Sequence, residues 1–137
     1  MTDRAGGCLC ADIRYILHAE PIAVAICHCA DCRRQSGSSF SIMATIPATA
    51  YEQTGATKTY VGNGDFGIVY RDFCGACGTP VVSRVAALPD IVIVKVGTLD
   101  DPGDLKPQVE VYTRSAAGWL PPFAPIRFSG PPEETVR

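Results

Sequence analysis

The residues best equipped for chemistry are sulfurs. The 137-residue chain carries seven cysteines in three clusters: Cys8-Leu9-Cys10, Cys27-His28-Cys29-Ala30-Asp31-Cys32 and Cys74-Gly75-Ala76-Cys77. Zn²⁺ takes four soft or borderline ligands in a tetrahedron, and a C-x-x-C turn aims two thiolates at one point. Cys74 and Cys77 thus make half of a structural site, with Gly75 and Gly78 letting the backbone close around the sulfurs. Residues i and i+2 of an extended segment share a face, so Cys8 and Cys10 are expected to supply the other half while Leu9 points toward the core. Those four thiolates close one site. Cys27 and Cys29 share one side of a strand end and Cys32 comes round on the next turn, so a second zinc is offered three thiolates. A filled tetrahedron marks a structural zinc, whereas three protein ligands with an exchangeable place mark a reactive one. Three thiolates blunt the Lewis acidity of the metal, which then prefers a soft thiol to a hard water and strips the thiol of its proton. The expected chemistry is capture of a sulfur substrate at Cys27, Cys29 and Cys32.

Competing uses of these cysteines fit less well. A disulfide framework calls for an even count and an oxidising compartment. A C-x-x-C redox pair stands before a helix, but Cys77 is followed by the strand-like Pro80-Val81-Val82. His28 is the other candidate for the fourth place on the second metal. It lies between Cys27 and Cys29, so its ring is expected to face the other way, in a hydrogen-bonded or solvent-facing role. His18 has no cysteine beside it and reads as a surface residue.

Short elements must position these sulfurs. Apolar segments rich in β-branched and aromatic residues recur between Gly, Pro, Asn and Asp, which predicts antiparallel strands near residues 13–18, 22–26, 40–46, 58–61, 68–73, 80–84, 91–97 and 109–113. Asn63-Gly64-Asp65 reads as a hairpin turn, because Asn and Gly tolerate positive φ. The best helical candidate is residues 30–36, cut off by Gly37, with a second short turn near residues 115–120. The proline-rich tail from Pro121 cannot donate a regular ladder of N–H groups. It is expected to wrap the surface and fray over residues 133–137. The fold class predicted is all-β with little helix, in a single domain.

Composition narrows the partners. Twelve Lys and Arg against fourteen Asp and Glu give a formal net charge of −2, with no basic face for a phosphate backbone, so nucleic acid is not expected. No apolar run reaches the ~20 residues of a spanning helix, and no membrane partner is expected. The opening residues lack the apolar middle of a secretory signal, which points to the cytoplasm, where thiols stay reduced. A homo-oligomer is compatible with this sequence.

The motifs Gly6-Gly7-Cys8-x-Cys10, Cys27-His28-Cys29-x-x-Cys32-Arg33-Arg34, Gly37 through Phe40, Phe73-Cys74-x-x-Cys77-Gly78-Thr79 and Gly97-Thr98-Leu99-Asp100-Asp101-Pro102 stand in this order along the chain. Together they resemble the glutathione-dependent formaldehyde-activating enzyme family, whose domain also occurs in centromere protein V. The resemblance spans residues 5–128 and leaves 129–137 as a C-terminal tail. It implies the Mss4-like fold, a zinc-binding β-sandwich of complex topology. It also implies two zinc ions per chain, a structural one on Cys8, Cys10, Cys74 and Cys77 and an active-site one on Cys27, Cys29 and Cys32. The implied activity is that of a carbon–sulfur lyase joining glutathione, or another small thiol, to formaldehyde. Two departures stand out: Ala11 where many members have Gly, and Glu110 where a His is frequent. The stretch from Trp119 to Phe123 looks like a compressed version of a longer family segment.

A glutathione pocket needs cationic forks for two carboxylates, and Arg33 and Arg34 directly after Cys32 are the first candidates, followed by Arg84 and Arg114. Ser36, Ser38 and Ser39 read mainly as turn residues around Gly37, and Asp100 with Asp101 as a turn before Pro102. Trp119 and Phe123 are candidate covers for the pocket or packing anchors. A thiol carrier without turnover and a zinc domain that binds another protein are the alternatives to an enzyme.

Overall fold

The computed structural model describes residues 3–132. In chain order the elements are β1 (Arg4–Gly7), β2 (Arg14–Leu17), β3 (Ala23–Cys27), α1 (Ala30–Ser36), β4 (Ser41–Pro47), β5 (Tyr51–Thr54), β6 (Lys58–Gly64), β7 (Gly67–Phe73), β8 (Pro80–Val85), β9 (Ile91–Lys95), β10 (Val109–Val111) and β11 (Ile126–Arg127). Three single 3₁₀ turns complete the described residues. The strands form two sheets, ordered β1-β2-β5 and β11-β10-β3-β4-β9-β8-β7-β6. The all-β class with one short helix is as the composition of the segments predicts.

Alternation along the strands explains the layering. Val24, Ala44, Val94 and Val82 stand in one row across four neighbouring strands of the large sheet. All four are buried, and they join Ile13, Tyr15 and Leu17 from the small sheet in the main core. Burying each Val, Leu or Ile contributes about 1.5–3 kcal/mol, so this inter-sheet layer holds the domain together. The next row over faces the other way. Val111, Cys27 and Ser41 are consecutive partners there, as are Val109, Ala25, Met43 and Lys95, and Cys27, Val109 and Val111 form a second, smaller cluster. The reactive-site candidates therefore sit on the face of the large sheet opposite the main core.

Several expectations shift. The hairpin between β6 and β7 is present, but Gly64 pairs with Gly67, so Asp65-Phe66 make the turn and Asn63-Gly64 lie in the strand. The positive φ falls on Gly67 at 95°. The segment expected at 91–97 ends as a strand at Lys95 and continues as a 3₁₀ turn over Val96–Thr98. Strands β1 and β5 were not predicted. In β1, a Cβ on Gly6 would lie 2.5 Å from the Thr98 carbonyl and from the Tyr15 hydroxyl, so glycine permits a close approach that its weak strand propensity hides. The proline-rich tail is no mere wrapping: between Pro125 and Phe128 it supplies β11, the outer strand of the large sheet. Both β10 and β11 run parallel to their neighbours, against the all-antiparallel expectation, because long crossovers precede each of them. Fraying expected at 133–137 lies outside the described residues. No helix among them is long and apolar enough to cross a membrane.

Candidate metal centres and active site

Two knuckles build the four-thiol cluster. Cys8 follows β1 directly, its N–H donates to the Ile13 carbonyl at 3.0 Å, and the Ala11 N–H returns to the Cys8 carbonyl at 3.1 Å. The segment is thus a tight turn, not an extended strand, because β1 must reverse into its antiparallel partner β2. The turn itself brings the two sulfurs together. Leu9 accordingly sits at the tip, 86% exposed, instead of pointing to the core as expected. Opposite, Cys74 follows β7; its N–H donates to the Thr79 carbonyl at 2.9 Å and its own carbonyl accepts the Gly78 N–H at 2.8 Å. Gly78 takes φ 80°, the left-handed conformation glycine adopts without strain. The Leu9 N–H donates to the Thr79 hydroxyl at 3.1 Å and ties the knuckles together.

Sulfur spacing fits a metal. Cys10 lies 3.7 Å from both Cys8 and Cys74, and all four sulfurs fall within 4.8 Å of one another. Four sulfurs at ~2.3 Å from a tetrahedral zinc are about 3.8 Å apart. Backbone N–H groups also aim at sulfur, Ile13 at Cys8 (3.2 Å) and Cys77 at Cys74 (3.5 Å), as thiolate ligands require. Hydrogen bonds from the Thr79 hydroxyl and backbone pull the Cys77 thiol down to about 5, so a ligand sulfur is ionised well below neutral pH.

Ala11 carries φ 68° in this turn, a left-handed conformation that glycine adopts more readily. A left-handed alanine costs about 1–2 kcal/mol, and extra unfolded-state freedom of glycine offsets part of the relief. Ala11→Gly should therefore raise stability by roughly 0.5–1 kcal/mol, read as a small upward shift of the thermal midpoint.

The three-thiol cluster grows from the end of β3. Cys27 is its last residue, Cys29 caps α1, and Cys32 lies in the first turn of that helix, donating its N–H to the Cys29 sulfur at 3.3 Å. Gly37 ends α1 at φ 67°, with its N–H on the Arg33 and Arg34 carbonyls. The three sulfurs lie within 4.8 Å of one another, and no fourth ligating atom joins them among the described residues. Hydrogen bonds from Cys27 and Cys32 push the Cys29 thiol down to about 2, while bonds to Cys29 and Cys32 together with burial push Cys27 up. Cys29 is thus the thiol that gives up its proton first.

His28 faces away from the sulfurs, as the alternation predicts. Its ring is 1% exposed, and Nε2 donates to Glu110 Oε1 at 2.8 Å. Glu110 was not singled out as part of the site. Its side chain is completely buried, and Oε2 accepts the Phe123 N–H (2.7 Å), the Ala124 N–H (3.1 Å) and Arg127 Nε (3.0 Å). Burial raises the Glu110 carboxyl, but these donors, His28 foremost, outweigh it and hold the group at about 2. The signal available in sequence was an acid between two valines in a strand.

This carboxylate fixes the loop that carries Phe123 and Ala124. The Phe123 ring packs on Phe40 at 5.3 Å, and Phe40 packs on His28 at 5.8 Å, whereas Trp119 stays 75% exposed. Arg33 and Arg34 are exposed on α1, beside Cys32 in sequence. Arg84 is engaged by Asp72 at 2.8 and 2.9 Å, and Arg114 lies over the Tyr112 ring at 5.7 Å. Ser36 caps its own turn: its hydroxyl donates to the Arg33 carbonyl and accepts the Ser38 N–H. Asp100 pairs with Arg14. His18 lies on the surface between Asp3 and Glu52.

A two-sheet β domain carries a four-thiol knuckle and a separate three-thiol cluster, each able to hold a metal ion. The model of the glutathione-dependent formaldehyde-activating enzyme family matches residues 3–115, and the chain belongs to that family. Among solved structures, the chain resembles the crystal structure of a Rhodobacter sphaeroides protein at 17% identity and a TM-score of 0.56, covering 90% of this chain and 98% of that one. That likeness concerns the fold alone. No curated protein matches the sequence.

Proposed function

We propose that the protein is a zinc-dependent carbon–sulfur lyase of the formaldehyde-activating type, acting on glutathione or another small thiol and an aldehyde. The observation that carries this reading is the cluster of Cys27, Cys29 and Cys32, which gathers three thiols and no fourth protein ligand. His28, the neighbouring candidate in sequence, faces away from the sulfurs with its Nε2 on Glu110. Cys27, Cys29 and Cys32 would hold the zinc, and when bound there it would supply the positive charge that lowers the pKa of an incoming thiol.

The chain's own residues do the rest. The reaction forms a carbon–sulfur bond, breaks the carbonyl π bond and leaves the thiol's proton on the new hydroxyl. Thiol and aldehyde must be held together, because proximity is the main help such a facile addition can receive. Met43, Tyr112 and Phe128 pack beside Cys27 and give the cluster an apolar border, and Arg33 and Arg34 offer cations to the carboxylates of glutathione. The four-thiol knuckle serves as the structural zinc site.

Calorimetric titration of the zinc-loaded protein with glutathione tests this directly, followed by exchange spectroscopy on mixed glutathione and formaldehyde. Expected are saturable binding that Cys29→Ala abolishes, and exchange accelerated by the wild type but not by that variant. No heat with glutathione or with 2-mercaptoethanol would refute the proposal. Binding with unchanged exchange rates would replace the enzyme by a carrier.

A further inference from the structure

One buried cation near the three-thiol cluster has no carboxylate partner. Lys95 is the last residue of β9, 7% exposed, and it stands on the same sheet face as Cys27 through the rows that join β3, β4 and β9. Its ammonium reaches diagonally across β4 to the Ser41 hydroxyl at 3.4 Å, and Ser41 is the direct partner of Cys27. Among the described residues Lys95 makes no ion pair within 4.0 Å, whereas Arg4, Arg14, His18, His28, Arg84 and Arg127 each face a carboxylate within that distance. A buried charge without a partner is strongly unfavourable, and the three sulfurs are the groups whose negative charge acts on it favourably. Burial holds the Lys95 pKa below its ordinary value, Arg71 lowers it further, and the negative charge of Cys32, Cys27 and Cys29 works in the other direction.

We propose that Lys95 is the counter-charge of the three-thiolate centre, a positioning residue that offsets its net negative charge and so lets it accept a further anionic sulfur. The inference rests on zinc occupying that centre, as in the function proposed above. With three thiolates on Zn²⁺ the centre is anionic before any substrate arrives, and a fourth thiolate makes it more so. The Lys95 ammonium, held on the Ser41 hydroxyl beside Cys27, offsets one unit of that charge in a setting that water screens poorly. Ser41 holds the ammonium in place from the strand between.

The test compares Lys95→Met, Lys95→Gln and Lys95→Arg for zinc affinity, by competition against a chromophoric pyridylazo chelator, and for 2-mercaptoethanol binding by calorimetry. Met removes the charge in a similar volume, Gln keeps a hydrogen bond to Ser41 without the charge, and Arg keeps the charge. The expected result is one zinc held roughly tenfold more weakly or worse in both neutral variants, the second zinc unchanged, and wild-type behaviour restored toward normal by Arg. Thiol affinity should fall in the same order. Equal affinity in all four proteins would overturn the proposal, as would a Gln variant that behaves like the wild type, since that pattern belongs to a hydrogen bond and not to a charge. Failure of the proposed function reads differently: the wild type would then hold its second zinc in a Lys95-dependent manner but bind no thiol.

Discussion

Cys74→Ala is expected to abolish the stable fold, whereas Cys29→Ala should leave a folded domain that binds one metal fewer. Cys74 is 2% exposed and belongs to the main core with Ile13 and Val81, at the junction of β7 and β8. Its sulfur faces Cys10 at 3.7 Å, so the substitution removes one of the four thiols that bring the β1–β2 turn against the large sheet. Structural zinc contributes ~10–16 kcal/mol in small peptides, and domain stability is only ~5–15 kcal/mol, so losing one ligand of four exceeds what the core can absorb. Cys29 lies at the cap of a seven-residue helix with no buried residues, on the face away from that core. Circular dichroism and thermal melts of the two variants decide this. Similar melts for both would contradict the assignment of a structural role to one cluster and a reactive role to the other.

The second large effect is expected at Glu110. Removing this carboxylate in Glu110→Ala leaves a buried imidazole, two backbone N–H groups and the Arg127 guanidinium without their acceptor. Breaking a buried pair in this way costs about 3–5 kcal/mol. The loop that carries Phe123 should detach from Phe40, so hydrogen exchange at Phe123 and Ala124 should accelerate along with the fall in stability. The pH dependence has a definite sign. The folded carboxyl sits at about 2 against an ordinary value of 4.5, so its stabilisation is complete above pH 4.5 and is lost as pH falls toward 2. The gap in thermal midpoint between wild type and Glu110→Gln should therefore be full at pH 6 and shrink steadily in acid. A gap independent of pH would show that the charge of Glu110 contributes nothing.

Much of the site is legible in the sequence because ligand chemistry is local. Cys74-x-x-Cys77 and Cys27-x-Cys29-x-x-Cys32 each reach one point through a single turn, and α1 falls on residues 30–36 because Gly37 must end it. The Cys8–Cys10 pair converges for another reason than expected. A strand would have placed Leu9 inward, but the reversal from β1 to β2 puts it at a turn tip, with Ala11 in a left-handed conformation that its residue type does not announce.

What escaped the sequence is what depends on distant partners. His28 and Glu110 are 82 residues apart and meet only because β10 docks parallel to β3, placing Glu110 beside Ile26. Lys95 closes the apolar run Ile91-Val92-Ile93-Val94, and its significance appears only when β9 pairs with β4 and brings it near the sulfurs. Strand β11 lies in a proline-rich segment, where two residues suffice because they sit at the sheet edge and need to donate little.

The division of seven sulfurs into four and three is tested most directly by native mass spectrometry of the purified protein, with iodoacetamide labelling of its thiols. The account predicts two zinc ions per chain, all seven cysteines protected, and a third mass step when glutathione is added. One zinc ion, with Cys27, Cys29 and Cys32 rapidly alkylated and no glutathione adduct, would contradict it.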